Sequence, residues 1–121
     1  MTTIDLTKVA ELGVDTEEGL AYCADDLEFY GEVLEEFISE GTAKADELRQ
    51  FFAAQDWANY AIRAHTVKTI SRTIGARQLS EHARVLEFAA KEGDSAVIRA
   101  EHEPFTAELG TLIAGLEEVV R

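Results

Sequence analysis

The stretch DWANYAIRAHTVKTISRTIGA, residues 56–76, has the end signals and the periodicity of one amphipathic helix. Asp56 is of a residue type that caps helix N-termini, and Gly75 is of the type that most readily adopts the left-handed conformation at a helix end. At about 100° per residue, one broad stripe of the helix can face a core. Its members are Trp57, Tyr60, Ala64, Val67, Ser71 and Ile74. The sequence therefore predicts a helix that runs to Ile74 and is buried along one side.

Two capping-box spacings upstream predict further helix starts. The pair Asp15–Glu18 would open a short helix through Ala21, and the pair Asp25–Glu28 would open a long one. Gly41-Thr42 interrupts this long segment and could bend or split it, because glycine costs about 1 kcal/mol in a helix interior.

Downstream, helical spacing predicts one helix from about Ala76 to Lys91 and a final helix after Gly93-Asp94. Pro104 lies inside the final segment, so a kink or a restart is expected near residues 101–104. Nowhere do Val, Ile and Thr alternate with polar residues over the length of a strand. Four long amphipathic segments with short connections predict an all-α fold, an antiparallel up-and-down four-helix bundle with a short extra N-terminal helix. Residues 1–121 are expected to form a single domain.

Composition and charge exclude several classes of function. The 121 residues carry a formal net charge of -13, which opposes binding to nucleic acid and to anionic membranes. No apolar run approaches the roughly 20 residues of a membrane span, and the N-terminus lacks the pattern of a signal peptide. The single cysteine, Cys23, cannot form an intramolecular disulfide and suits a reducing compartment. A cytoplasmic location is the expectation.

The predicted helix over 57–74 differs from the others in its outer face. One flank, about 100° from the core stripe, brings together His65, Lys68, Thr69 and Arg72. Small and apolar residues precede them on the same flank: Ala58, Ala61 and Ile62. Residues 57–85 contain five basic residues and one acidic residue, whereas residues 1–56 and 86–121 carry net charges of -12 and -5. The positive charge of an acidic protein is thus concentrated around one histidine, where a phosphoryl group or an acidic partner would be favoured.

The sequence from Ala64 to Asp94 resembles the histidine phosphotransfer (HPt) domains of bacterial multistep phosphorelays. The family pattern is Ala-His-x-Leu-Lys-Gly-x-Ser, followed by Gly-Ala, a Leu, a helix with a Leu-Glu pair, and Gly-Asp. The matching positions are Ala64, His65, Val67 in place of Leu, Lys68, Ser71, Gly75, Ala76, Leu79, Ala83, Leu86, Glu87, Gly93 and Asp94. The segments upstream also fit, so the resemblance covers nearly the whole chain.

What the resemblance implies is a phosphohistidine carrier in a two-component phosphorelay. His65 would be the phosphoacceptor, exchanging a phosphoryl group with the aspartate of response-regulator receiver domains, and Lys68 would offset the charge of the phosphoryl oxygens. The residues expected to contact the partner are Ala58, Ala61, Ile62, Thr69 and Arg72. No cofactor or metal is expected on this chain, since the Mg²⁺ would belong to the receiver. Without an ATP site, the domain would be a phosphotransfer intermediate rather than an autonomous kinase.

One position departs from the family pattern. Thr69 stands four residues after the histidine, where the family usually has Gly. Its side chain could narrow access to the imidazole, or its hydroxyl could bond the ring or the phosphate. Both interpretations stay open at the level of sequence.

Other functions stay open beside the carrier. One is a receiver-docking module that is not phosphorylated, and another is the phosphoacceptor domain of a larger chemotaxis-type histidine kinase. A sensor histidine kinase is a further candidate partner, and a monomer is the default for so small a bundle. His82 and His102 are expected at the surface or its boundary, and Ser71 is expected to bond back to its own helix. No residue in the sequence identifies the upstream kinase, the downstream regulator or the output of the pathway.

Overall fold

The computed structural model describes residues 4–120, and within that range the regular elements are six α-helices with no strand. They are α1 (Leu6–Glu11), α2 (Thr16–Tyr22), α3 (Leu27–Ala54), α4 (Trp57–Ile74), α5 (Arg77–Glu92) and α6 (Ser95–Val120). Across these residues, no helix combines the length and the apolar content that a membrane crossing requires. The predicted all-α class is confirmed.

The four long helices form the bundle. Two-residue connections join α3 to α4, α4 to α5 and α5 to α6, so successive helices run antiparallel. α3 packs against α4 and α6, and α5 packs against the same two helices, so each of the four long helices contacts two of the others. The interior is apolar, and its largest fully buried side chains include Tyr30, Tyr60, Phe37, Phe105, Leu34 and Leu48. The outer flank of α4 is left facing solvent.

The end signals of α4 act as predicted, whereas one cap at α3 differs. The Asp56 carboxylate accepts a hydrogen bond from the backbone N–H of Asn59 at 3.2 Å, and Gly75 ends the helix with φ +92°. At α3 the capping residue is Asp26, not Asp25, because the Asp26 carboxylate accepts from the backbone N–H of Phe29. Asp25 lies in the preceding turn at φ +57°, a left-handed position that Asp tolerates better than most residues.

The N-terminal segment contains two short helices where one was predicted. The predicted helix corresponds to α2, which Asp15 caps as expected. The other, α1, has six residues and a single fully buried side chain, Val9. So short a helix contains too few apolar positions to produce a helical period.

The two interruptions predicted within the long helices do not break them. α3 continues through Gly41, which is buried where α6 approaches; a Cβ at that position would lie 3.0 Å from Ile113 Cδ1. α6 continues through Pro104 without a restart. Pro104 and Ala100 are both exposed, so water can satisfy the carbonyl that proline leaves without a partner.

α2 is fixed to the C-terminal end of α4 by close backbone contacts. The N–H of Asp15, which caps α2, donates to the carbonyl of Gly75 at 2.8 Å. Beside this contact, the Tyr30 hydroxyl of α3 donates to the carbonyl of Ile74 at 2.9 Å. A Cβ at Gly19 would lie 2.4 Å from that Ile74 oxygen. Glycine at this position is therefore what allows α2 to lie against α4.

Gly75→Ala should lower the free energy of unfolding by about 2–3 kcal/mol, because alanine is strained at φ +92° and its Cβ would lie 2.0 Å from the Asp15 carbonyl oxygen. Gly93→Ala is the matched control. Gly93 also has positive φ (+70°), but apart from its chain neighbours no described residue would lie within 4 Å of a Cβ there. That change should cost about 1 kcal/mol. Urea unfolding followed by circular dichroism measures both. Equal losses would contradict the close approach of α2 to α4.

Candidate functional site

His65 lies on the solvent-facing flank of α4, with its side chain 56% exposed. Its Nδ1 is 2.9 Å from Oε2 of Glu87, a residue of the adjacent helix α5. The core stripe of α4 sets the rotation of that helix, so the flank that holds His65 lies beside α5. One ring nitrogen is thus held by the protein while the ring stays accessible.

Glu87 is a buried carboxylate surrounded by three basic side chains. Its side chain is only 3% exposed, and besides His65 it contacts Lys68 Nζ and Lys91 Nζ, each at 2.8 Å. Burial alone would raise the pKa of Glu87, but the bonds from Lys68, Lys91 and His65 outweigh it and lower the pKa to about 2. Glu87 is therefore ionised at neutral pH.

The ionised carboxylate decides which ring nitrogen of His65 can react. A carboxylate only accepts hydrogen bonds, so at 2.9 Å the Nδ1 atom must be the donor and must hold the hydrogen. In a neutral imidazole with hydrogen on Nδ1, the Nε2 atom has the free lone pair. In the neutral ring, the nitrogen able to act as a nucleophile is therefore Nε2.

Thr69 directs its hydroxyl to the backbone and not to the imidazole ring. Its Oγ1 donates to the carbonyl oxygen of His65 at 3.1 Å, one turn earlier in α4. Thr66 and Thr73 make the same type of bond, to Ile62 and to Thr69. The Thr69 side chain is exposed beside His65, and its hydroxyl is already occupied within the helix.

Most of the residues expected to contact a partner line one shallow cavity beside His65. The cavity has a volume of about 660 Å³ and is lined by Ala58, Ala61, Ile62, His65, Thr66, Glu87, Ala90 and Lys91. Ile62 is 56% exposed, but Ala61 is only 4% exposed and forms the base of the cavity rather than a projecting surface. Arg72 lies apart from this group, in a second cavity that Lys68 also lines.

Glu87 and Lys91 are site residues that the sequence does not predict. In the family pattern Glu87 is only half of a Leu-Glu pair, to which no role is attached. Two signals are present: a carboxylate next to the buried stripe of α5, and a lysine four residues later that can pair with it. Neither signal indicates that His65 of another helix meets the same carboxylate.

The other two histidines differ from each other. His82 is 21% exposed, with Nδ1 2.8 Å from Glu108 and Nε2 3.5 Å from Glu101, which agrees with a boundary position. The expectation of a surface or boundary position is wrong for His102, which is 4% exposed. Its Nδ1 is 2.8 Å from the Tyr60 hydroxyl, its ring stacks on Phe52, and burial lowers its pKa.

Ser71 is buried, as its place on the core stripe of α4 predicts. Its hydroxyl has no hydrogen-bond partner among residues 4–120, so the predicted bond back to α4 is wrong. The part of the chain that the structure describes also contains no group of three or more His, Cys, Asp or Glu side chains arranged to hold a metal ion.

Comparison with known proteins agrees with the observed fold. A protein-family model described as "Hpt domain" matches residues 32–119, nearly all of the four-helix bundle. Searches of curated proteins and of solved structures found no match. Domains of this family take part in phosphotransfer within phosphorelays and interact with response-regulator receiver domains. Because the match covers well over half of the residues, the chain belongs to the Hpt domain family.

Proposed function

We propose that the chain is a phosphohistidine carrier that shuttles a phosphoryl group between His65 and the aspartate of receiver domains. In this proposal, residues 1–121 act as one domain and as a cytoplasmic monomer. The observation that supports it most is the bond between His65 Nδ1 and Glu87, which fixes the ring and leaves Nε2 as the nucleophile on an exposed side chain.

The proposed transfer requires no proton to move. The Nε2 lone pair attacks the phosphorus of a receiver's aspartyl phosphate, the bond between phosphorus and the aspartate oxygen breaks, and its electron pair stays on that oxygen. The imidazole gains a formal positive charge while Nδ1 keeps its hydrogen. The Glu87 carboxylate, in contact with that hydrogen, stabilises the charged ring. In the reverse step an aspartate oxygen attacks phosphorus, and Nε2 departs with its lone pair.

Charge and position supply the rest of the catalysis. Phosphoryl transfer passes through a loose transition state, in which an enzyme contributes mainly positioning and charge stabilisation. Lys68 lies one turn after His65 and is held by Glu87, so a positive charge is fixed near the phosphoryl oxygens. Lys91 is tied to the same carboxylate and lines the cavity of His65. The Mg²⁺ would be held by the receiver, and this chain would serve as a phosphotransfer intermediate without an ATP site or a cofactor.

The cavity beside His65 suits the approach of a second protein. Ala58 and Ala61 are small, so a partner can come close to α4, and Ile62 offers exposed apolar surface next to the imidazole. Thr69 adds an exposed side chain one turn after His65 in α4. We propose that these residues contact the receiver around its phosphorylated aspartate.

The proposal is tested by incubating the protein with phosphorylated receiver domains from the same genome. Transfer should place phosphate on the chain that is labile in acid and stable in base, the behaviour of a phosphoramidate. If competent receivers do not label the wild type, the carrier is excluded and a docking module that is not phosphorylated takes its place. If label comes only from a chemotaxis-type kinase domain with ATP, the chain is that kinase's phosphoacceptor domain.

Lys68→Ala should slow transfer by about tenfold while the bundle stays folded, because it removes one positive charge near the phosphoryl group. Lys91→Ala is the matched comparison, since it removes the other lysine bound to Glu87. Rapid-quench kinetics with one phosphorylated receiver measures both variants. Unchanged kinetics in Lys68→Ala would remove its proposed role, and equal losses in both variants would assign the effect to Glu87.

A further inference from the structure

A second cavity, of about 800 Å³, is lined by Lys68 and shares no lining residue with the cavity beside His65. Three helices form it: α2, α4 and α5. Four basic and two acidic side chains line it. The other lining residues are Ala21, Tyr22 and Ser80. The basic side chains are Lys68, Arg72, Arg77 and Arg84. Four of the five basic residues between positions 57 and 85 therefore line one cavity, although the chain as a whole has a net charge of -13.

The three arginines of this cavity are available to a ligand. Arg77 pairs with Glu18 at 2.7 Å, but the Arg77 side chain is 71% exposed, and the pair of Arg84 with Glu81 is also exposed. A guanidinium has five N–H donors, and the side chains of Arg77 and Arg84 are 71% and 47% exposed, so an incoming carboxylate can bond them beside Glu18 and Glu81. Arg72 is exposed and forms no ion pair with any residue in the range 4–120.

The walls of the cavity are fixed in place by the fold. α2 is held against α4 through the close approach of Gly19 to Ile74 and the bond from the Asp15 N–H to the carbonyl of Gly75. The Ser80 hydroxyl donates to the carbonyl of Lys68 at 2.9 Å, which ties α5 to α4 at the cavity. A preformed site loses less conformational entropy when a ligand binds.

We infer that this cavity, formed by Arg72, Arg77 and Arg84 beside Tyr22, binds carboxylate side chains of the receiver partner and so selects among receivers. The inference rests on the proposed function, because it takes the partner to be the receiver. Charge complementarity supports an acidic occupant, since the segments before and after residues 57–85 repel acidic proteins and this surface attracts them. Arginine and an exposed tyrosine are also the residue types most enriched where proteins bind each other, and Tyr22 is 55% exposed.

The arrangement divides docking into two parts. His65 and its apolar cavity receive the reacting aspartate, whereas the basic cavity contacts acidic residues elsewhere on the same receiver. Lys68 lies between them, because it lines the basic cavity and pairs with the carboxylate that holds His65. Receivers with carboxylates at the matching position should be preferred over receivers without them.

The first experiment tests the cavity without any receiver. A hexaglutamate peptide added to the ¹⁵N-labelled protein should shift the amide signals of Arg72, Arg77 and Arg84, and salt should weaken the effect. A hexalysine peptide should leave these signals in place. If hexaglutamate shifts none of the three, or shifts them equally in Arg72→Glu, the inference is overturned. If the same signals shift with protein concentration alone, the occupant is a second copy of the chain and the inference fails.

The second experiment measures transfer from one phosphorylated receiver at a series of receiver concentrations. Arg72→Glu should raise the half-saturating concentration by about tenfold and leave the rate at saturation unchanged, because the arginine contacts the partner and not the phosphoryl group. Arg72→Gln should show a smaller rise in the same direction.

Arg99→Glu is the matched control, with the same change of charge on α6, a helix that packs against α3 and α5. It should stay within about twofold of the wild type. If Arg72→Glu behaves like Arg99→Glu while the wild type takes up phosphate, the inference fails and the carrier function stands. If the wild type takes up no phosphate, the proposed function fails, and the hexaglutamate result still decides whether the cavity binds carboxylates.

Discussion

His65→Gln should take up no detectable phosphoryl group, less than about 1% of the wild type, because it removes the nucleophilic nitrogen that the site presents. Glutamine is close to histidine in size, can still donate a hydrogen bond to Glu87, and replaces a side chain that is 56% exposed. The bundle should therefore stay folded. The measurement is labelling by a phosphorylated receiver, with circular dichroism to confirm the fold.

His82→Gln is the matched control for this loss. His82 also has solvent access, but its two ring nitrogens lie 2.8 Å and 3.5 Å from carboxylates of α6, which repel a phosphoryl group. This variant should be labelled like the wild type. Label that survives in His65→Gln and disappears in His82→Gln would mean that His82, and not His65, is the phosphoacceptor.

The fold can be predicted from local signals wherever those signals are strong. The bounds of α4 follow from Asp56, from an uninterrupted core stripe and from Gly75, and the structure confirms all three. The signals at Gly41 and Pro104 do not divide their helices, because the effect of each residue depends on tertiary contacts. Gly41 is used for close packing against α6, and Pro104 faces solvent, where the loss of one backbone bond is tolerated.

The site can be predicted only in part. A helical wheel places residues of one helix relative to each other, so it locates His65 and Lys68 on one flank. It contains no information about which residue of a neighbouring helix lies opposite. The contact of His65 with Glu87, 22 positions later, depends on the packing of α5 against α4. For the same reason the burial of His102 against Tyr60 does not follow from the sequence.

Glu87→Gln should lower the free energy of unfolding at pH 7 by about 3 kcal/mol, since it removes a buried negative charge that pairs with two lysines and a histidine. The loss should depend on pH. The pKa of Glu87 is lowered from its ordinary value of 4.5 to about 2 in the folded protein, so the unfolded state binds the proton more tightly. The stabilisation is fully present above pH 4.5 and disappears as the pH falls towards 2.

The difference in stability between wild type and Glu87→Gln should consequently shrink between pH 4.5 and pH 2. Urea unfolding at pH 7, 5, 3.5 and 2.5 measures it. Glu92→Gln, on an exposed carboxylate of the same helix, should change stability by less than about 0.5 kcal/mol at every pH. If the difference in the free energy of unfolding between wild type and Glu87→Gln stays constant with pH, Glu87 is not ionised in the folded protein.

The same variant should slow transfer by about 10- to 100-fold, because a charge-assisted hydrogen bond to the ring is worth about 1.5–3 kcal/mol. A purely structural role for Glu87 would leave the ring nitrogens of His65 unchanged, so their ¹⁵N chemical shifts separate the two explanations. In the wild type at high pH, the hydrogen should lie on Nδ1. In Glu87→Gln the glutamine amide can donate or accept, and both tautomers should be populated. If the tautomer is unchanged while the rate falls, Glu87 does not act by orienting the imidazole, and the loss must come from the positions of Lys68 and Lys91.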